Sequence, residues 1–286
     1  MPLEQLVHYF NDRFEGEHHS NLRPFILQKG LVSGIFGPIR ISSAFAPVRR
    51  ANDHEALTGH IAELVVSPYD SDSLNRQSSD ISHLLTDALT QPADFQSIIN
   101  LDRLCRTVHM MNYLTYSHNG DVLFLDVDPR HILGVQQDHG AYFEEIIIKC
   151  GLETKNVAIS MTINNFYALH HAQLLNGLNN YRQRGYRIAL NLGSLYAANG
   201  LRDLIKKLSP NYIRVNAPSA DTKQQTSTIW LPAFKTLTEL QNINGGQIIL
   251  QQVGLKEQAH IAASARFGLV QGDYYEKLVT DHLRCL

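Results

Sequence analysis

Short runs of β-branched and aromatic residues alternate along this chain with longer segments whose apolar residues recur at helical spacing. Eight runs are candidate strands: "SAFAPVRR" (43–50), "HIAELVV" (60–66), "DVLFLDV" (121–127), "NVAISM" (156–161), "YRIALNL" (186–192), "YIRVNA" (212–217), "QIILQQV" (247–253) and "LVQGDYY" (269–275). Such alternation is typical of a parallel α/β sheet. Eight strands with interleaved helices predict a closed (β/α)8 TIM-like barrel.

The position of the first predicted barrel strand sets the predicted domain organisation. Residues 1–40 are predicted to be an N-terminal helical preface, with helices in "PLEQLVHYFNDRF" and "LRPFILQKG", and residues 41–286 are predicted to form the barrel. The polar stretch "SPYDSDSLNRQSSD" (67–80) predicts an exposed loop or a mobile lid. A helix is expected in "SIINLDRLCRTVHMMNYL" after it.

Composition narrows the class of protein. The 286 residues are 44% hydrophobic and 18% charged, as in an ordinary globular domain. Lys and Arg number 25 against 27 Asp and Glu, so the net charge of -2 gives no overall attraction for nucleic acid or for an acidic membrane. The three cysteines show no C-x-x-C spacing, which argues against a disulfide framework and a zinc site. We expect a cytoplasmic protein that does not bind nucleic acid directly.

The first residues also lack the order of a signal peptide, which is basic, then apolar, then small. No apolar run approaches the roughly 20 residues that a membrane-spanning helix needs. We therefore expect no insertion into a membrane.

In a barrel of this type, chemistry is carried by the carboxyl ends of the strands. A hydrolytic site built on Mg²⁺ or Mn²⁺ needs several carboxylates, because hard cations prefer anionic oxygen ligands. Here Asp126 is the single acid that we expect to point inward towards a metal. The strand ends therefore predict no metal-dependent site.

Six segments resemble the EAL-domain family of cyclic di-GMP phosphodiesterases. "GHIAELVV" resembles the strand that names the family, "FLDVDPRHI" its Val-Asn-Leu-Ser-Pro strand, and "RIALNLGSLY" its Ala-Leu-Asp-Asp-Phe-Gly loop. "LSPNYIRVN" is similar to the Leu-Pro-Val-Asp-x-Leu-Lys-Ile-Asp segment, "GGQIILQQVGLKEQ" to Ala-Glu-Gly-Val-Glu-Thr, and "FGLVQGDYY" to the closing Gly-x-x-x-Val-Gln-Gly-Tyr. The segments run in order from about 45 to 275. The resemblance implies an EAL-type barrel.

At the positions that carry the family's chemistry, the resemblance implies a degenerate, catalytically inactive member with no cofactor and no bound metal. The vestigial active-site positions are Ile61, Asp126, Ala158, Asn191, Leu192, Arg214, Gln251, Gly254 and Gln271. Of these, only Gln271 matches the family residue. A shift of the second strand by two residues would place Glu63 at the naming glutamate, but it would break the matches at Gly59 and Ala62.

The asparagines that end two strands, Asn191 and Asn216, are interpreted as isosteric replacements of acids. Asn and Gln side chains can hydrogen-bond to one another, so the barrel mouth need not unfold without ions. Arg214 is expected to pair with Asp126. The alternative is that its side chain extends outward to solvent.

The family's nucleotide contacts fall on Ala46 and Val65, where no guanidinium or amide remains to hold phosphate or base. We therefore predict a regulatory protein that acts by protein–protein interaction in bacterial signalling. The alternatives are a non-hydrolysing cyclic di-GMP receptor with an unusual pocket and a protein with residual or altered enzymatic activity.

The predicted interface is the loop "LGSLYAANG", in which Leu195 and Tyr196 would expose apolar surface. A protein partner is expected there, and a homodimer is the second option. The alternative is that both side chains pack back onto the barrel rim.

Overall fold

The computed structural model describes residues 2–18, 23–69, 95–116, 120–135, 140–163, 169–192, 202–219, 230–243 and 245–285. The strands are β1 (Phe25–Gln28), β2 (Leu31–Phe36), β3 (Ile39–Arg50), β4 (Asp53–Pro68), β5 (Val122–Val127), β6 (Val157–Thr162), β7 (Arg187–Asn191), β8 (Tyr212–Asn216), β9 (Gln247–Gln251) and β10 (Leu269–Val270). The helices are α1 (Leu3–His18), α2 (Phe95–Tyr113), α3 (Pro129–Gly134), α4 (Ala141–Lys149), α5 (His171–Gln183), α6 (Arg202–Leu208), α7 (Leu231–Ile243), α8 (Lys256–Ser264) and α9 (Asp273–Cys285). A 3-10 turn, Thr154–Asn156, precedes β6.

The sheet closes into the predicted barrel. The strand order is β1-β2-β3-β10-β9-β8-β7-β6-β5-β4, and β3 also pairs with β4, so the eight strands β3 to β10 form a closed ring. The strands are not all parallel, because β3 runs antiparallel to both β4 and β10. The connection between β3 and β4 is only two residues long, and a turn this short can join only antiparallel strands. From β4 round to β10 the pairings are parallel.

Apolar residues fill both sides of the sheet. The barrel interior is packed by Val48, Ile61, Val122, Phe124, Ala158, Ala189, Tyr212, Ile249 and Leu269. A larger core lies between the outer face of the sheet and the helices. Gly59 of β4 lies so close to β5 that an added Cβ would be 2.2 Å from the carbonyl oxygen of Val122. A glycine is therefore required where these two strands meet.

Part of the predicted preface is wrong. The helix in "PLEQLVHYFNDRF" is present as α1, but "LRPFILQKG" contains the strand β1 and not a helix. The turn Lys29–Gly30 joins β1 to β2, and both residues have positive φ, of 50° and 78°. Such a two-residue turn ending in glycine is a hairpin signal. Both strands extend the barrel sheet, because β2 pairs with β3.

Further predictions concern the last strand, the segment between β4 and β5, and membrane insertion. In "LVQGDYY" only Leu269–Val270 is a strand, and α9 begins at Asp273. The helix predicted in "SIINLDRLCRTVHMMNYL" is present as α2. Most of the stretch 67–80, predicted to be a loop or lid, lies outside the described residues. No helix in the described part of the chain is long and apolar enough to cross a membrane.

Candidate functional site

A ring of polar side chains closes the barrel interior at the carboxyl ends of the parallel strands. Successive side chains of a strand alternate between its two faces, so each polar residue lies two or four positions after an inward apolar residue. The inward polar residues are Glu63 on β4, Asp126 on β5, Ser160 and Thr162 on β6, Asn191 on β7, Arg214 and Asn216 on β8, and Gln251 on β9. The apolar layer below excludes water from the lower side of this ring.

Arg214 lies at the centre of the ring and is only 5% exposed. Its Nη1 donates to Asp126 Oδ1 at 2.7 Å and to Ser160 Oγ at 2.7 Å, and its Nε donates to Gln251 Oε1 at 2.9 Å. The predicted pair of Arg214 with Asp126 is therefore confirmed, and the alternative of an outward-extended arginine is wrong. A buried guanidinium needs such partners because an unpaired buried charge is costly.

Amide side chains continue the network from Arg214, as predicted. Gln251 Nε2 donates to Asn191 Oδ1 at 3.1 Å and to Asn216 Oδ1. Asn191 Nδ2 donates to Thr162 Oγ1 at 3.3 Å. The side-chain oxygen of Gln251 accepts from Arg214, and its nitrogen donates to Asn191 and Asn216. The Gln251 amide therefore connects the guanidinium to the two asparagines.

Two of the predicted positions lie below the network, and one faces away from it. Ile61 and Ala158 belong to the apolar barrel interior. Leu192 follows β7 and is buried in the outer core between sheet and helices, so its side chain does not reach the mouth. These three positions thus hold apolar side chains that pack in the cores and take no part in the polar network.

Gly254 and Gln271 support the connection that follows β9. The backbone N–H of Gly254 donates to Gln258 Oε1 at 2.8 Å. Gln271 Oε1 accepts from the backbone N–H of Gln252 at 3.0 Å. Gln252 has a positive φ of 60°, a conformation that is costly for a side-chain-bearing residue. Gln271 therefore holds a strained turn and is not part of the Arg214 network.

A cleft of about 340 Å³ opens beside this network. Its lining residues are Ile61, Ala62, Glu63, Leu64, Cys105, His109, Asp126 and Arg214. Ala46 of β3 pairs with Ile61 and packs against the barrel interior. Val65 lies on the same face of β4 as Ile61 and Glu63, and 45% of it is exposed. The predicted former nucleotide contacts, Ala46 and Val65, thus lie beside the mouth and offer it only apolar side chains.

Two side chains that α2 contributes to the cleft, His109 and Cys105, are held neutral by burial. Burial lowers the pKa of His109 from its ordinary value of 6.5 to about 4, and its Nδ1 lies 2.8 Å from Ser43 Oγ. Burial raises the pKa of Cys105 to about 12, with the Asp102 carboxylate as a second cause. A thiol held protonated is a poor nucleophile and a poor metal ligand.

The described residues do not fit a catalytic divalent metal. Glu63 and Asp126 both line the cleft, but Asp126 is paired with the guanidinium of Arg214. Within the described ranges no three His, Cys, Asp or Glu side chains come close enough to hold an ion. A cation brought to Asp126 would meet the positive charge of Arg214.

Four members of the site were missed from the sequence. Ser160 and Thr162 are the next inward positions after Ala158, so strand alternation was a usable signal for them. Glu63 was set aside because of its register, yet it lines the cleft. His109 comes from α2 and had no signal, because helix packing brings it there.

The predicted interface residues Leu195 and Tyr196 lie outside the described residues, so their role stays a prediction.

Solved structures share this architecture. The YkuI protein of Bacillus subtilis, which has an EAL domain and was solved with its substrate cyclic di-GMP and calcium, is 17% identical, with a TM-score of 0.61 over 82% of this chain and 54% of its own. The BlrP1 protein of Klebsiella pneumoniae, in a manganese and cyclic di-GMP complex, is 14% identical, with a TM-score of 0.64 over 87% and 59%. A standalone EAL protein of Vibrio cholerae, bound to cyclic di-GMP, is 14% identical, with a TM-score of 0.57 over 82% and 90%.

The chain thus spans less than two thirds of the length of the first two of these proteins. No protein-family model and no curated protein matches the sequence. At such low identity the similarity concerns architecture: the closed eight-stranded barrel of this chain has the fold of the EAL domains.

Proposed function

We propose that this chain is a catalytically inactive EAL-type regulatory protein that acts by protein–protein interaction in cyclic di-GMP signalling. The observation that carries the proposal is the position of Arg214, whose buried guanidinium is bonded to Asp126, Ser160 and Gln251 at the barrel mouth. Hydrolysis by metal ions needs converging carboxylates at this place.

The charge of Arg214 acts against metal binding in two ways. A guanidinium is permanently protonated, so no accessible pH removes its repulsion of a divalent ion. Its bond to Asp126 also engages one of the two carboxylates that line the cleft, the other being Glu63. The amides of Asn191 and Gln251 are weak ligands without neighbouring acids, and they already hydrogen-bond to each other.

The test is hydrolysis of cyclic di-GMP by the purified chain with Mg²⁺ or Mn²⁺. We expect no turnover above a no-protein control. The matched variant is Arg214→Ala, which removes the guanidinium but restores no acid, and we expect it to be inactive as well. Turnover by the native chain that EDTA abolishes would contradict the proposal.

A second candidate function is a non-hydrolysing cyclic di-GMP receptor, and the open cleft of about 340 Å³ beside Arg214 favours it. The apolar side chains of Ala46 and Val65 oppose it, because neither can bond to phosphate or guanine. A ligand at about 100 times its dissociation constant stabilises the folded state by roughly 2.7 kcal/mol. A saturable rise in melting temperature with cyclic di-GMP would favour the receptor, and we expect no such rise.

The proposed partner surface includes Leu195 and Tyr196. The test compares partner pull-down and solution mass for the native chain and for Leu195→Ser combined with Tyr196→Ser. A control, Ile148→Ser, changes an exposed apolar residue on α4. We expect the double variant to lose its partner and the control to keep it. Unchanged partners and mass in a folded double variant would exclude this loop as the interface.

A further inference from the structure

The strand β4 extends well beyond the barrel and leaves one of its edges open. It pairs with β5 only through Gly59, His60 and Ile61. On its other side it stays paired with β3 as far as Ile39 and Pro68. No described strand pairs with residues 62–68 on the β5 side, because β5 separates from β4 after Phe124. Alternate backbone N–H and C=O groups of this stretch therefore point to an edge without a strand partner.

Two observations show that this edge is uncovered within the described part of the chain. The cleft of about 340 Å³ runs along Ile61 to Leu64, so open space lies directly beside the edge. Leu64 is 42% exposed and Val65 is 45% exposed, although their side chains point to opposite faces of the sheet. An edge strand that lacks a strand partner and carries exposed apolar side chains is a template for another strand.

We propose that residues 62–68 form an interface between two copies of this chain, in which the two β4 edges pair as antiparallel strands about a two-fold axis at Val65. The proposal goes beyond the regulatory function above and does not depend on it. A symmetric interface uses the same patch on both copies, so it must be self-complementary. The stretch meets this condition in a register centred on Val65.

With the axis at Val65, the whole stretch pairs with itself. Val65 faces Val65, Leu64 faces Val66, and Glu63 faces Ser67 of the second copy. The two Glu63 carboxylates lie four residues apart along the strands, about 13 Å, which exceeds the screening length of roughly 8 Å at physiological salt. An axis at Glu63 would place the two carboxylates opposite each other, and like charges there are destabilising.

Two further features agree with a second copy as the occupant. Pro68 has no N–H to donate, but it falls at the end of the paired stretch, where proline is tolerated. The net charge of -2 supplies little repulsion between copies. In this register, residues 66–68 of the second copy lie beside residues 62–64, along the cleft, so the dimer also narrows access to Arg214.

The first test is the solution mass by light scattering over a range of concentrations. We expect the native chain to dimerise and the variant Leu64→Lys with Val65→Lys to have a dimer dissociation constant at least about tenfold higher, because edge lysines oppose strand addition. The control Ile148→Lys places a charge at another exposed apolar residue, 65% exposed on α4, and should dimerise normally. Circular dichroism checks that each variant is folded.

The second test fixes the register by oxidative cross-linking. Val65→Cys should form a covalent dimer rapidly, because directly opposite residues have Cα atoms about 4.5–5.5 Å apart, within disulfide range. Ser67→Cys should not, because its counterpart in the second copy is roughly 13 Å away. The parent chain controls for the native cysteines. A monomer at all concentrations, a dimer unaffected by the lysines, or equal cross-linking at 65 and 67 would overturn the proposal.

Discussion

Removal of the Arg214 guanidinium tests the description of the barrel mouth most directly. The perturbation is Arg214→Met, which keeps a long apolar stem in the barrel and removes all three donated hydrogen bonds. If the guanidinium holds the polar ring together, its loss must destabilise the fold. If it were merely accommodated there, an apolar side chain of similar length would be tolerated.

The expected magnitude follows from the acceptors that remain. Ser160 and Gln251 are buried, at 0% and 5% exposure, so each loses a donor that water cannot easily replace. A buried unsatisfied acceptor costs about 1–3 kcal/mol, so the two together cost about 2 kcal/mol or more. Asp126 has 51% of its side chain exposed and regains water, so it adds little. The variant no longer buries a charged group, and this gain offsets part of the loss. We expect a net loss of about 2 kcal/mol in the free energy of unfolding.

Urea denaturation of the native chain, Arg214→Met, Asp126→Asn and the double variant measures this loss. We expect Asp126→Asn to cost at most about 1 kcal/mol, since its exposed carboxylate is replaced by an amide that still accepts from Arg214. The cost of the double variant should be smaller than the sum of the two single costs, because both substitutions remove the same ion pair between Arg214 and Asp126. A cost below about 0.5 kcal/mol for Arg214→Met, or strict additivity, would refute the reasoning, since surface substitutions alone fall in that range.

Three other predictions concern parts of the fold around the site. Gly59→Ala should lower the free energy of unfolding by at least about 2 kcal/mol, because the added Cβ would overlap the β5 backbone. Its control is Gly16→Ala on α1, which has open space around it and should be neutral or stabilising by up to about 1 kcal/mol in the same denaturation assay. Because the pKa of His109 is lowered to about 4, the unfolded chain takes up a proton at higher pH than the folded chain. The free energy of unfolding should therefore drop by on the order of 3 kcal/mol between pH 6.5 and 4. The variant His109→Gln should show a smaller dependence of this free energy on pH. The same slope in both proteins would mean that other groups cause it. Asp102→Ala removes the carboxylate that neutralises the buried Arg106 and should cost about 3–5 kcal/mol. Glu153→Gln, in an exposed ion pair, should change the free energy of unfolding by less than about 0.5 kcal/mol, and equal effects of the two substitutions would contradict the role of burial.

The candidate site was partly predictable because strand alternation is a local rule. Asp126, Asn191 and Arg214 were placed from the sequence, and the structure brings them into one network. Leu192 was placed wrongly at the mouth, since it follows Asn191 and so falls on the other face of the strand. The scarcity of acids at the strand ends was also readable from the sequence, whereas the absence of catalysis stays a proposal.

Other features depended on packing between distant segments. His109 reaches the cleft only because α2 packs beside the barrel, and no local pattern carries that information. The strand β1 was predicted as a helix because its apolar spacing fits both structures, and only pairing with β2 decides between them.

The sequence alone therefore determined the number of barrel strands, their order along the chain and the inward or outward direction of most strand-end residues, because period-two alternation and turn lengths act over a few residues. The tertiary structure alone decided the pairing of β3 with β10, which closes the ring, and the open edge of β4. It also decided the choice of Arg214 partners. These features arise from contacts between residues tens to more than a hundred positions apart, where the free energy depends on geometry that no short stretch of sequence specifies.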